Sequence, residues 1–147
     1  MRFRERASDL MMKSISALHR GILHASGGRL GGRLISMPAV ELVTTGRVSG
    51  KRRSTMLTAP IHDDDRIVLV ASKGGDDRHP EWYRNLIANP EVELVLGGST
   101  LRMLARTASP EEKAAMWPEI TRVYPGYAGY QRRTSRDIPV VICEPRP

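Results

Sequence analysis

Cysteine is almost absent. Cys143 stands alone among 147 residues, so no disulfide within the chain can hold it together, and its apolar strand context suits a small buried hydrophobe in a reduced, cytoplasmic compartment. Aromatic residues are scarce at 5%, and Phe3 is the only phenylalanine. Apolar runs stay well short of the roughly 20 residues a membrane-crossing helix needs. Residues 1–25 are rich in arginine, but Lys13, His19 and Arg20 interrupt any apolar segment, so no secretory signal is expected. Metal-ligand spacing is missing too. His19 and His24 lie five apart, His62 and His79 have no second ligand nearby, and Asp63, Asp64 and Asp65 read as a solvated turn, so no metal is expected. With no Gly-x-Ser-x-Gly elbow, a serine nucleophile is not expected either.

Acidic residues are short only in the first third of the chain. Residues 1–53 carry 11 Lys/Arg against 3 Asp/Glu, whereas the remaining 94 carry 12 against 13. The whole net charge of +7 therefore arises from one region. Confinement of this kind points to a localised anionic partner: a phosphorylated cofactor, an acidic lipid surface or nucleic acid. Nucleic acid is the poorest fit, because Phe3 is that region's only stacking platform.

The content of 40% hydrophobic and 27% charged residues is that of one globular domain. Met11, Ile15, Leu18 and Ile22 recur at helical spacing, predicting a basic amphipathic helix over Ser8–Leu23, followed by the glycine pairs Gly27-Gly28 and Gly31-Gly32. Such a helix could lie on a membrane surface, pack on its own domain or meet a partner subunit, and all three stay open. Six strands are expected, at Val40–Thr45, Ser54–His62, Arg66–Ala71, Glu91–Leu96, Thr100–Thr107 and Pro139–Glu144. Hairpin turns fall at 62–65 and 97–99. Helices are expected around Pro80–Ala88 and Pro110–Tyr130, the second opening on a capping box of Ser109 and Glu112. The predicted class is α+β, a mainly antiparallel six-stranded barrel. Residues 1–36 are expected to form the helix and glycine-rich linker, and residues 37–147 the barrel.

Three segments carry chemistry. In Ala71-Ser72-Lys73-Gly74-Gly75 a strand runs into a turn whose glycines permit close approach and whose amides and lysine favour an anion. Trp82 and Tyr83 follow with ring faces, after a proline suited to a first helical turn. In Gly46-Arg47-Val48-Ser49-Gly50-Lys51-Arg52-Arg53-Ser54-Thr55, hydroxyls and cations crowd a turn between strands, as in phosphate sites, though not in Walker order. Tyr124, Tyr127 and Tyr130 recur every three residues, which places their rings on one face. Tyrosine suits a dry core poorly because its hydroxyl needs a partner, so a wall that stacks on a planar substrate is expected.

In order along Val40–Pro145, these segments, with His79-Pro80-x-Trp82-Tyr83-x-Asn85-Leu86, Ala88-Asn89-Pro90 and Asp137-Ile138-Pro139-Val140, resemble the deazaflavin-dependent nitroreductase family of actinobacteria. The resemblance implies a split β-barrel that binds coenzyme F420 and passes a hydride from its reduced form to a planar acceptor, a quinone such as a menaquinone or a nitroaromatic. It implies that Arg47, Lys51, Arg53 and Thr55 hold the anionic tail, with Met56 a further cofactor-side position. Ser72, Lys73, Gly74, Gly75, Trp82 and Asn85 would line the deazaflavin and its linker, and Tyr124, Tyr127 and Tyr130 the substrate side. Val48, Met56 and Thr58 depart from what many members carry. The competing classes are an FMN-binding barrel of the same type and a non-enzymatic basic protein at a membrane surface. A homodimer is a further expectation.

Overall fold

The computed structural model describes residues 37–147; the helix expected at Ser8–Leu23, its linker and any membrane contact they make lie outside the described residues. The strands are β1 (Ala39–Thr45), β2 (Arg52–Thr58), β3 (Ile61–His62), β4 (Ile67–Val70), β5 (Glu91–Leu96), β6 (Ser99–Thr107) and β7 (Val140–Pro145). The helices are α1 (Glu81–Ala88), α2 (Pro110–Val123) and α3 (Gly126–Arg133), and a short 3-10 turn spans Lys73–Gly75.

The seven strands form one sheet in the order β2-β1-β5-β6-β7-β4-β3, with every pairing antiparallel. β2 and β3 occupy opposite edges of that sheet, yet only Ala59 and Pro60 separate them in sequence. Laid flat, six strand spacings would put the edges about 29 Å apart. Three peptide units reach at most about 11 Å. The sheet must therefore curl until its edges meet, joined by a covalent corner with no hydrogen-bonded ladder between them. This is a split barrel of the α+β class.

The count of seven corrects the expected six. The segment Ser54–His62 bends at Ala59-Pro60, where proline has no N–H for a ladder, and the chain leaves one edge for the other. The segment Pro110–Tyr130 divides likewise at Tyr124-Pro125 into α2 and α3. Pro80 caps α1 from outside the helix, with extended ψ of 150°, one position before the turn it was expected to begin. Local signals elsewhere hold. Ser109 Oγ accepts from Glu112 N at 3.1 Å while Glu112 Oε1 accepts from Ser109 N at 2.9 Å, and Gly97 and Gly98 form a two-residue hairpin with φ of 57° and 84°.

Alternation along the strands sorts the core into two layers. Val40 and Leu42 of β1, Ile67 and Leu69 of β4, Val92 and Leu94 of β5, and Val141 and Cys143 of β7 pack in one cluster, which Leu86 of α1 joins. Val68 and Val70 of β4 and Val140 and Ile142 of β7 point the other way and pack with Met116 and Ile120 of α2 and Tyr127 of α3. Strand β4 is therefore buried on both sides, and the turn that leaves it packs against α3. Cys143 sits in the first cluster, where burial pushes its thiol up to about 12.

Candidate functional site

The turn after β4 has an unusual backbone. Lys73, Gly74 and Gly75 take φ of 46°, 63° and 87° in succession, a left-handed run that glycine adopts freely and lysine does not. The two glycines serve different ends. A Cβ on Gly75 would lie 2.9 Å from the Tyr130 carbonyl and 3.0 Å from Arg133 Cβ, so Gly75 is required for α3 to pack. A Cβ on Gly74 would meet nothing within 4 Å.

The turn's polar groups are unevenly spent. Arg136 Nη2 donates to the carbonyls of Ala71 (3.2 Å) and Ser72 (2.9 Å), Asp76 N to that of Lys73 (3.1 Å), and Arg133 Nη1 to that of Gly74 (3.4 Å). Every carbonyl from Ala71 to Gly74 thus has an internal donor. Among the described residues, neither the Gly74 N–H nor the hydroxyl of buried Ser72 meets an acceptor. A surface with those carbonyls satisfied and these two donors unspent suits an anionic or electron-rich ligand.

The basic turn between β1 and β2 closes on itself, with Gly46 N on Lys51 O and Gly50 N on Gly46 O, both at 2.8 Å. Arg47 is committed within the protein: its backbone N and Nη1 donate to Asn85 Oδ1 at 3.2 and 2.9 Å, and Nη2 meets Glu81 Oε2 at 2.7 Å. Buried Asn85 also reaches Thr44 Oγ1 at 3.4 Å, so it fastens α1 to the basic turn. Arg52 turns to the opposite face of β2 and pairs with Glu93 at 2.7 Å. Lys51 is exposed and makes no ion pair among the described residues, and the exposed Arg53 side chain donates one hydrogen bond among them, from Nη2 to Ser49 Oγ at 3.4 Å. Half-buried Thr55 shares Arg53's face by strand alternation, while Met56 is buried on the other.

The tyrosines converge although the helix breaks between the first and the other two. Tyr124 precedes α3, and its ring folds back over Gly126, where a Cβ would fall 2.6 Å from the ring. The three rings meet edge to face, with centroids 5.0 to 6.2 Å apart. Tyr127 is 5% exposed, and its hydroxyl pairs with Thr58 Oγ1 at 3.2 Å. Half-buried Tyr124 and Tyr130 share a hydrogen bond at 3.2 Å. Burial, then the bond to Tyr124, pushes the Tyr130 hydroxyl up to about 12, so it keeps its proton and can donate it in a hydrogen bond. Burial also raises Tyr127.

These groups lie on one closed circuit. The basic turn joins α1 through Arg47, Asn85 and Glu81. The approach to α1 joins the left-handed turn through His79 and Arg136, whose Nη1 donates to His79 Nδ1 at 3.1 Å. That turn meets α3 at Gly75, α3 meets β2 at Tyr127 and Thr58, and β2 leads back to Arg53. Trp82 is half-buried beside the barrel core, its ring centroid 6.4 Å from that of Tyr83. The motif reading gave no role to Arg136, His79 or Thr58. Nothing local marks Arg136, which sits between Ser135 and Asp137 in an irregular loop.

The family profile described as F420H(2)-dependent quinone reductase matches residues 16–145. The F420H(2)-dependent quinone reductase Rv1261c of Mycobacterium tuberculosis is 40% identical over 133 residues, covering 88% of this chain and 89% of its own. The solved structure of an F420-H2 dependent reductase, FDR-A, is 42% identical, covers 73% of this chain and 94% of its own, and superposes with a TM-score of 0.66. A protein solved as a domain-swapped dimer is 35% identical and covers 97% of this chain and 96% of its own, with a TM-score of 0.67.

Proposed function

The chain belongs to the F420H(2)-dependent quinone reductase family, and on that premise we propose how its residues divide the work. It is an oxidoreductase whose cofactor is coenzyme F420 and whose acceptor is a quinone. Reduced F420 supplies the hydride, and the protein supplies binding, orientation and electrostatics.

One observation carries the assignment of the site: the carbonyls from Ala71 to Gly74 have internal donors while the Gly74 N–H and the Ser72 hydroxyl have no acceptor among the described residues, beside a Gly74 whose outer side is open. The Gly74 N–H, the Ser72 hydroxyl and Lys73 take the deazaflavin's electron-rich edge and linker, with the Trp82 ring beside them. Lys51 and Arg53 project toward the phosphate and polyglutamate tail, and Thr55 on Arg53's face adds a hydroxyl. Arg47 and Asn85 shape that turn and fix it to α1, and Met56 supports β2 from behind. Tyr124 and Tyr130 form the acceptor side, where a hydroxyl that stays protonated stabilises charge developing on a quinone oxygen. Tyr127, its hydroxyl held by Thr58, braces both rings.

A nitroaromatic is planar and builds negative charge on oxygen, so the same wall would accept it. The domain-swapped relative supports a homodimer, which sedimentation would detect. No helix among the described residues is long and apolar enough to cross a membrane. Contact with a membrane surface rests on residues 1–36, and a liposome pull-down with and without them tests it. Residues 37–147 are the cofactor-binding domain in this reading.

Fluorescence titration tests the cofactor assignment directly. F420 fluorescence should be quenched at low micromolar protein or below, and FMN should bind more weakly. Preferential binding of FMN would place the site among flavin-binding barrels instead.

A further inference from the structure

Resting on the cofactor assignment above, we propose that Arg136 is the positioning residue of the deazaflavin site: it holds the Ser72–Gly75 turn with its carbonyls inward so that its donors face the ligand. A single guanidinium spans the whole turn. Nη2 takes the carbonyls of Ala71 and Ser72 where the turn begins, Nε takes that of Asp76 at 2.8 Å where it ends, and Nη1 takes His79 Nδ1 ahead of α1. A planar fork with five N–H groups can serve acceptors on three sides, and a lysine ammonium on its single stem cannot.

The turn needs such a clamp. Three consecutive residues with positive φ, one of them lysine, form a conformation that persists only when its surroundings over-determine it. Without Arg136, the Ala71 and Asp76 carbonyls would lose their donors, and carbonyls free to rotate outward would repel the anion the turn serves.

Arg136 is itself anchored from both helices behind it. Its carbonyl accepts from Gln131 Nε2 at 2.7 Å, and its N–H donates to Thr134 Oγ1 at 3.3 Å. Lys113 of α2 then holds Gln131 Oε1 at 3.0 Å and the Ile138 carbonyl at 2.8 Å, and bonds Asp137. The clamp thus ties that turn to the helix that carries Tyr130.

The contact also leaves a mark on His79. Because arginine only donates, Nδ1 must accept, and the neutral ring carries its proton on Nε2. Burial, then the charges of Arg136 and Arg84, hold His79 below its ordinary value. The Tyr83 ring packs against it at a tilt of 53°, centroids 4.8 Å apart, and Asp76 and Asp77 face Arg136.

The test compares Arg136→Lys and Arg136→Ala with the wild type, using F420 as the titrated ligand and a soluble naphthoquinone as acceptor. Both variants should lose F420 affinity by about tenfold or more, with the KM for F420H2 rising and the KM for the quinone staying within about twofold. In the ligand-free protein, NMR titration should show the His79 pKa rising in Arg136→Ala. Affinity retained in Arg136→Lys would mean that charge alone matters and would overturn the proposal. Equal rises in both KM values, an unmoved His79, or variants unfolded at the assay temperature would overturn it too. If the wild type itself bound no F420, the cofactor assignment would fail, and the His79 titration would still decide whether Arg136 grips the turn.

Discussion

Replacing each of two adjacent glycines with alanine separates a residue required for packing from one facing the ligand. At Gly74, φ is 63° and a Cβ meets no atom within 4 Å, so the cost to folding is conformational. An L-residue in the left-handed region costs about 1–2 kcal/mol, and the lost freedom of the unfolded chain returns about 0.4–1 of it. The net destabilisation expected for Gly74→Ala is therefore roughly 1 kcal/mol, within a range of about 0–1.6. At Gly75 the same conformational term applies, but the new Cβ falls 2.9 Å from the Tyr130 carbonyl, a backbone atom that cannot swing aside, and 3.0 Å from Arg133 Cβ. Overpacking of that kind adds about 1–3 kcal/mol, so Gly75→Ala should cost roughly 2–4 in all. Urea denaturation reads both numbers, and F420 titration reads the other half of the argument. Gly74→Ala puts a methyl where the cofactor is assigned, so affinity should fall about tenfold, or roughly 1.4 kcal/mol, in a protein that still folds. Equal destabilisation of the two variants, or unchanged F420 binding by Gly74→Ala, would refute the reasoning.

Arg53→Ala should weaken F420 binding about tenfold, as expected for one charge-assisted contact, while hydride transfer at saturating cofactor largely survives because that contact is equal in ground and transition states. Tyr130→Phe should leave F420 affinity intact and lower quinone turnover; the reverse pattern would mean that the two ends of the site have been exchanged. Since the Tyr130 pKa is raised in the folded state to about 12, its contribution to stability is full below pH 10 and is lost between pH 10 and 12. Alkaline denaturation of Tyr130→Phe should be correspondingly less steep. Glu112 runs the opposite way. Its bond from Arg106, with the capping bond from Ser109, holds it down to about 2, so its contribution should fade as pH drops from about 4.5 toward 2, and Glu112→Gln should flatten that acid limb.

Local chemistry was legible in the sequence wherever the deciding contacts were local. The apolar runs of β4 and β7, the Gly97-Gly98 hairpin and the Ser109–Glu112 box all involve residues within a few positions of one another. The two breaks were carried by Pro60 and Pro125, visible as prolines but ambiguous until the edges of the sheet had to meet. The candidate site was legible as motifs and not as geometry. Arg47 reads as a free cation until Asn85 and Glu81 are brought to it across 38 and 34 residues. Gly75 reads as a ligand glycine until α3 is laid on its back. Tyr127 reads like its neighbours until Thr58 takes its hydroxyl. Arg136 had no signal at all, because its acceptors lie about 60 residues upstream.

Strand β7 sits between β6 and β4, and among the described residues it is the only strand whose ladders join the four-stranded half of the sheet that ends at β6 to the β3–β4 hairpin. Biosynthesis therefore delivers the parts in an awkward order. A nascent chain that has reached residue 133 already carries the basic turn, the left-handed turn and all three tyrosines, but the strand that aligns them has yet to arrive. Until residues 140–145 emerge, β4 and β6 each present an unpaired apolar edge, the kind of surface that invites pairing with another chain. The same gap invites a neighbour's β7 to fill it, which makes strand exchange between copies a natural hazard of this topology.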